Sequence, residues 1–213
     1  MGRARQKNIP QQAVRRYPLY LREVRHAIAH GKTHVSVAAI AKKLNINPIL
    51  ARKDLAEAGI AGHPRRGFPA LELRNVILKS IGWESLNEAV LCGAGSLGKA
   101  LLGYSGFSEH NLSIVLAFDN SPSLVGRRSH GVPIHDVSEM EAMVAKLNVP
   151  IGILTTPASA AQECAEALVR AGVKGIWNFT PVKLHLPDGI VIQQVDLATS
   201  LALLSHEIIR RYG

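Results

Sequence analysis

The sequence predicts a two-domain α/β protein. A winged helix-turn-helix module over residues 1–82 precedes a doubly wound, Rossmann-like parallel sheet over 83–195, and a last helix over 196–213 closes the chain. Three observations predict this. Charge is split: residues 1–82 hold 16 Lys+Arg against 4 Asp+Glu, the remainder 9 against 12, within a net charge of +9. The first half consists of short helical periods punctuated by Pro, Asn and Gly. The second half alternates short apolar runs with amphipathic segments, the signature of βα units around a parallel sheet.

In the first half, Ile9-Pro10-Gln11-Gln12 starts a helix that Tyr17-Pro18 is expected to interrupt, since proline clashes inside a helix. Pro18 then starts a run through Leu19, Val24 and Ile28 that stops near Gly31. Ser36 caps Val37–Leu44, with Ala39, Ile40 and Leu44 on the inner face. Asn45-Ile46-Asn47 is a turn. Asn47 caps the next helix, Pro48 occupies its first position, Leu50 or Ala51 faces inward with Leu55, and Gly59 ends it. Two short helices about a three-residue turn make a helix-turn-helix. Gly62-His63-Pro64-Arg65-Arg66-Gly67 joins two apolar stretches and reads as a hairpin wing; Asn75–Ile81 is the closing helix.

In the second half, the expected strands are Ala89–Cys92, Ser113–Phe118, Val132–Ile134, Ile151–Leu154, Gly175–Phe179 and Ile190–Val195. The expected helices are Leu97–Tyr104, Ser138–Leu147, Ser159–Ala171 and a last one from Asp196 to Arg211.

No stretch approaches the roughly 20 apolar residues that span a bilayer, and the polar, basic N-terminus lacks the apolar core of a secretory signal. Cys92 and Cys164 are the only cysteines. They read as core packing in a reducing, cytoplasmic compartment, with a redox-sensing thiol as the alternative. The basic block points to a polyanion, double-stranded DNA, because affinity for DNA rests largely on phosphate neutralisation. Arg52 and Lys53, early in the second helix of the helix-turn-helix, are placed for base edges. Asn47 stands at that helix's start, Lys42 and Lys43 suit the DNA backbone, and Arg65 and Arg66 suit a minor groove.

Gly93-Ala94-Gly95-Ser96-Leu97-Gly98 fits G-x-G-x-x-G between a strand and a helix start, the context a dinucleotide-binding turn requires. Gly93 permits the turn, Gly95 the approach of a pyrophosphate, and Gly98 close packing of helix on sheet. Asp119, 21 residues beyond Gly98 and followed by Asn120, is placed for ribose hydroxyls. That favours NAD+ and NADH over their phosphorylated forms, although Arg127 and Arg128 lie just downstream. Thr155-Thr156-Pro157 and Asn178-Phe179-Thr180-Pro181 close two further strands and are expected to line the nicotinamide end, or to serve only as turns. Hydride-transfer catalysis would also need a proton-moving group. His130, His135, His185 and His206 show no acid–base arrangement with a carboxylate, and no metal-ligand spacing occurs, so the chain reads as neither an enzyme nor a metalloprotein.

Taken together, several segments resemble the Rex family of bacterial redox-sensing transcriptional repressors across nearly the whole chain. They are Ile9-Pro10, Arg16–Tyr20, Arg52–Leu55 ahead of Gly59, Gly93–Gly98 ahead of Tyr104, Ala117–Asp119, Thr155–Pro157, Asn178–Pro181 and Val195–Leu197. The resemblance implies a homodimer that exchanges C-terminal helices, binds a palindromic operator, and is released when NADH binds. It implies that Tyr104 lies near the nicotinamide and meets Asp196 of the other subunit, and that Arg16, grouped with the DNA-binding residues, belongs to the contacts between the DNA-binding and Rossmann domains. The segment 62–69 matches the family's glycine-rich wing only in part. Two rival readings are a small NAD-dependent dehydrogenase with a basic appendage and a CoA-binding Rossmann domain. The run Gly152–Gly172 suits the second rival, and Asp119 argues against it.

Overall fold

The computed structural model describes residues 9–63, 66–84 and 88–213. The chain divides into two compact units, Met1–Ser85 and Leu86–Gly213. Pro64 and Arg65, at the expected wing tip, lie outside the described residues.

The first unit opens with α1, Gln11–Ala29, which runs unbroken through Pro18. The expected interruption does not occur. An internal proline costs about 3 kcal/mol, but Ala13, Tyr17, Tyr20, Leu21 and Val24 form one buried face. Each large side chain there contributes roughly 1.5–3 kcal/mol, so packing outweighs the lost hydrogen bond. The strand β1, His34–Val35, leads to α2, Val37–Lys43, capped by Ser36, whose hydroxyl accepts from Ala39 N. Val37, Ile40 and Ala41 face inward; Ala39, expected there, is exposed.

The next helix, α3, Pro48–Glu57, is capped by Asn47 Oδ1 accepting from Ile49 N at 2.8 Å. It buries Ala51, Asp54 and Leu55, while Leu50 is exposed. Then come β2, Phe68–Pro69, and α4, Ala70–Ser80, which starts five residues before the expected Asn75. Ala70, Leu73 and Ile77 are its buried face, and Ala70 N donates to Thr33 O. The wing differs from the expected hairpin. His63 and Gly67 form an isolated bridge, and β2 pairs antiparallel with β1 upstream of the helix-turn-helix (Val35↔Phe68). A two-residue strand carries too little alternation to announce itself.

The second unit is a seven-stranded sheet. Its elements are β3 Glu88–Cys92, α5 Ser96–Leu102, α6 Gly106–Glu109, β4 Ser113–Asp119, β5 Arg128–Ser129, β6 Val132–Asp136, α7 Met140–Leu147 after a 3-10 turn, β7 Ile151–Leu154, α8 Ala158–Arg170, β8 Gly175–Asn178, β9 Val191–Gln194 and α9 Leu197–Tyr212. The strand order is β5-β6-β4-β3-β7-β8-β9, parallel except for the edge strand β5. Leaving β5 aside, this is the doubly wound order of dinucleotide-binding folds, with its switch point between β3 and β7. Separate apolar clusters cover the two faces: Val90, Cys92, Phe118, Leu154, Cys164 and Leu168 on one, Leu91, Ala117, Ile134 and Ile153 on the other.

The last helix stands apart in its packing. α9 buries none of its residues, and Leu197, Leu201, Leu204 and Ile208 form an exposed stripe at helical spacing, with Leu203, Ile209 and Tyr212 beside it.

Candidate dinucleotide site and DNA-facing surface

At the switch point the backbone ladder continues past the strand ends. Gly93 N donates to Phe118 O, Thr155 N to Cys92 O and Phe179 N to Leu154 O. The three glycines of the turn have different causes. Gly93 has φ +98°, and a Cβ there would lie 2.8 Å from the Thr155 carbonyl. A Cβ at Gly98 would collide with the Gly93 carbonyl oxygen. The fold itself therefore demands both. Gly95 has an ordinary φ of −67°, and a Cβ built on it meets nothing within 4 Å. Nothing among the described residues requires a glycine there. The space above Gly95 is what an approaching phosphate group needs, and the N–H groups at the start of α5 point their partial positive charge at it.

Asp119 holds this turn in shape. Its Oδ2 accepts from Ala94 N at 2.7 Å and its Oδ1 from Ser121 N at 2.8 Å. Each oxygen keeps lone-pair capacity for a further donor, such as a ribose hydroxyl. Gly93, Asp119, Asn120, Thr156 and Pro157 line one cavity of about 550 Å³, a size suited to a small organic ligand. Val137 and Ser138, with Glu141 of α7 and Cys164 and Arg170 of α8, complete its wall. An ion pair joins Arg170 to Glu141 at 3.0 Å. Sequence reasoning missed these residues, because α7 and α8 read as ordinary covering helices. Among the described residues, Thr156 Oγ1 is buried without a hydrogen-bond partner, an orphaned polar atom beside the glycine turn. Open space at Gly95, spare acceptors on Asp119 and the orphaned hydroxyl all fit a dinucleotide.

The other expected cofactor residues divide. Thr155 Oγ1 donates to Gly93 O at 2.6 Å and so braces the turn. Asn178 is fully buried with its amide committed: Oδ1 accepts from Thr180 N and Oγ1, and Nδ2 donates to Val182 O and Gln194 Oε1. It shapes the strand end and has no free group for a ligand. Phe179, Thr180, Pro181 and Asp196 line a second cavity of about 730 Å³. Tyr104 is exposed, yet its ring is pinned. It packs edge-on to Phe107 at 5.0 Å, and a Cβ at Gly106 would strike it at 2.5 Å. Phe107 contacts Trp177 at 5.7 Å and Trp177 contacts Phe179 at 4.9 Å, so an aromatic chain joins Tyr104 to the second cavity. Neither Phe107 nor Trp177 carried a motif. Asp196 caps α9: Oδ1 accepts from Ala198 N and Thr199 N, and Oδ2 from Thr199 Oγ1. These bonds hold its carboxyl below the usual range. Among the described residues, no group of three His, Cys, Asp or Glu could hold a metal ion.

In the first unit, Arg52, Lys53, Lys42 and Arg66 are exposed. Arg52 of α3 and Arg66 of the wing turn line one cavity of about 560 Å³, so the structure brings these two cations together. Lys43 pairs with Glu23 at 3.3 Å. Asn47 gives its carbonyl oxygen to the helix cap. Arg65 lies outside the described residues. Arg16 is held within its own unit. Its guanidinium is bound to Asp54 of α3 through Nε and Nη2, so it braces that helix. Tyr20 Oη donates to the same carboxylate and Tyr17 Oη to the Asp54 carbonyl. The missed residue on this face is Ile49, 74% exposed in the first turn of α3, where an apolar side chain can meet a thymine methyl.

Comparison with known proteins agrees with this geometry. Residues 84–182 match the family described as CoA binding domain, and residues 8–56 match that described as putative DNA-binding protein N-terminus. The redox-sensing transcriptional repressor Rex of Treponema denticola is 43% identical over 94% of this chain and 96% of its own length. That of Bacteroides fragilis is 37% identical over 94% and 91%. Among solved structures, RSP in complex with β-NAD+ and operator DNA superposes with a TM-score of 0.86 at 32% identity, covering 94% of this chain and 92% of that one. RSP in complex with β-NADH gives 0.80 at 31%, covering 94% of each.

Proposed function

The chain belongs to the Rex family of redox-sensing transcriptional repressors, and from that premise we propose how its own residues do the work. It binds operator DNA and is released when NADH binds, so repression follows the NADH/NAD+ ratio. The curated relatives are named as repressors, and this favours the regulator over the dehydrogenase reading. The full-length relationship likewise places the CoA-binding match at the level of the shared domain.

The observation that carries the cofactor half is Gly95, a glycine the fold does not need, beside Asp119 with acceptors to spare. Bound there, the dinucleotide supplies a redox readout, since only its nicotinamide differs between the two forms. Asp119 orders the turn and accepts from the ribose, the α5 start and Gly95 take the pyrophosphate, and the Tyr104 aromatic chain stands at the nicotinamide end. On the DNA side, Arg52 and Lys53 face base edges, Lys42 and Arg66 face phosphates, and the Arg16–Asp54 pair fixes the angle of α3.

The dimer forms through the last helix. The stripe Leu197, Leu201, Leu204 and Ile208 stays exposed among the described residues, and a second copy covers it. Twofold symmetry pairs two recognition helices with a palindromic site. The setting is the cytoplasm, where DNA and the dinucleotide pool meet; among the described residues no helix is long and apolar enough to cross a membrane. A ligand shifts a two-state dimer only through its difference in affinity, about 5.5 kcal/mol for a swing from 1:99 to 99:1.

The test is a titration of a palindromic duplex, alone and with NADH or NAD+. DNA affinity should fall with NADH and hold with NAD+. Asp119→Ala should blunt the NADH effect and leave DNA affinity without cofactor intact. DNA affinity indifferent to NADH would remove the sensor reading.

A further inference from the structure

We infer that Gln162 of α8 is a positioning residue that sets the preference for NADH over ligands lacking the nicotinamide, by clamping the strap 179–190 that walls the second cavity. The inference rests on the proposed dinucleotide site.

The strap joins the end of β8 to the start of β9 and carries neither helix nor strand. Phe179, Thr180, Pro181, Val182, Lys183 and Leu184 all line the second cavity. A segment outside the sheet ladder must find other partners for its peptide groups. Side-chain amides provide them. Asn178 and Gln194, the last residues of β8 and β9, hold Thr180 and Val182. Gln162 holds the strap further on, at His185: its Oε1 accepts from His185 N at 3.0 Å, and its Nε2 donates to His185 O at 2.7 Å. The pair is reciprocal, like one rung of a ladder built with a side chain. Nε2 also donates to Glu166 Oε1 at 2.7 Å, one turn along the helix, which fixes the orientation of the amide. Leu184, next to His185, is buried in the apolar cluster that contains Cys164 and Leu168 of α8.

The same helix walls the first cavity. Ser159, Ala160 and Glu163 line it together with Gly93 and Asp119. Gln162 precedes Glu163, and one residue of helix turns the side chain by about 100°. One helix thus carries a wall of the cavity at Asp119 and the anchor of the strap. Loss of a merely structural bond would weaken every ligand alike. Loss of this clamp acts on the half of the ligand that the strap meets.

The test compares NADH with ADP-ribose, which keeps the adenosine, both phosphates and the second ribose but lacks the nicotinamide. Calorimetry on the full-length protein measures both affinities. Wild type should bind NADH more tightly than ADP-ribose. Gln162→Ala removes two hydrogen bonds to the strap, so NADH affinity should fall about tenfold while ADP-ribose affinity changes by less than about twofold. Gln162→Met keeps the length and bulk of the side chain without its hydrogen bonds; it should match Gln162→Ala, and it carries the test if the alanine variant fails to fold. Glu166→Ala leaves the pair with His185 in place and should keep the wild-type ratio of the two affinities. An equal loss for both ligands, an unchanged NADH affinity, or a wild type that binds the two equally overturns the proposal. So does a methionine variant that binds NADH as wild type does. If wild type binds neither ligand, the dinucleotide reading fails and the specificity role falls with it. Amide exchange at His185, faster in Gln162→Ala than in wild type, then still reports the clamp by itself.

Discussion

Arg16 and Asp54 are joined by a two-pronged ion pair, Nε to Oδ2 at 2.6 Å and Nη2 to Oδ1 at 2.7 Å, which ties α1 to the middle of α3. Asp54 is 3% exposed and also takes the Tyr20 hydroxyl at 2.7 Å. A charge buried in the recognition helix of a DNA-binding module is costly unless its partners are complete. Here they are complete, and all of them come from α1.

Removing one member should therefore be severe. Asp54→Ala should destabilise the first unit by about 3–5 kcal/mol, since it strands the Arg16 guanidinium and the Tyr20 hydroxyl. Urea unfolding measures the loss. DNA affinity should fall while NADH affinity holds, because the pair lies wholly in the first unit.

The same cluster gives an alkaline signature. Burial, reinforced by Asp54 and Glu57, pushes the Tyr17 hydroxyl up to about 12 from its ordinary 10.0. Tyr20 moves the same way, again by burial first and then by its bond to Asp54. A group whose folded pKa is raised contributes stability that is present below the unfolded value and lost as pH rises through the folded one. Stability should hold to about pH 10 and then drop toward pH 12. Tyr17→Phe should flatten part of that drop, read by denaturation at stepped pH.

Gly95 and Gly98 should separate folding from binding. Gly95→Ala meets open space and should change stability by less than about 0.5 kcal/mol, yet abolish the NADH response, giving a repressor that stays on DNA. Gly98→Ala drives a methyl into the Gly93 carbonyl and should destabilise the second unit outright. Thermal melts with and without NADH distinguish the two.

The α9 stripe predicts the assembly state. Leu201→Glu with Leu204→Glu should yield monomers by light scattering and weaken binding to a full palindrome far more than to a half-site. Dimers persisting in the double variant would reject α9 as the interface.

Much of the site was legible because its residues answer to local rules. The strand–glycine turn–helix at Gly93–Gly98 and Asp119 at the end of β4 are short-range patterns, and Ser36, Asn47 and Gly59 punctuate helices by capping alone. What stayed hidden depends on distant partners. Pro18 looks like a break until the burial of Tyr17 and Tyr20 is known. Arg16 looks like a free cation until Asp54, 38 residues away, folds against it. Trp177 and Phe107 look like ordinary core aromatics until the sheet lines them up between Tyr104 and Phe179.

The bare face of α9 has a genetic consequence. If each subunit is finished only by another copy, function belongs to pairs of chains. A copy with a broken recognition helix but an intact α9 would still find wild-type partners and sequester them in dimers with one working arm. With equal expression and random pairing, three of every four dimers would contain at least one defective chain, so such an allele should be dominant. An allele that also lost the α9 stripe should be silent. The last sixteen-residue helix, which contacts neither cofactor nor DNA in this reading, would decide whether damage elsewhere in the protein is inherited as dominant or recessive.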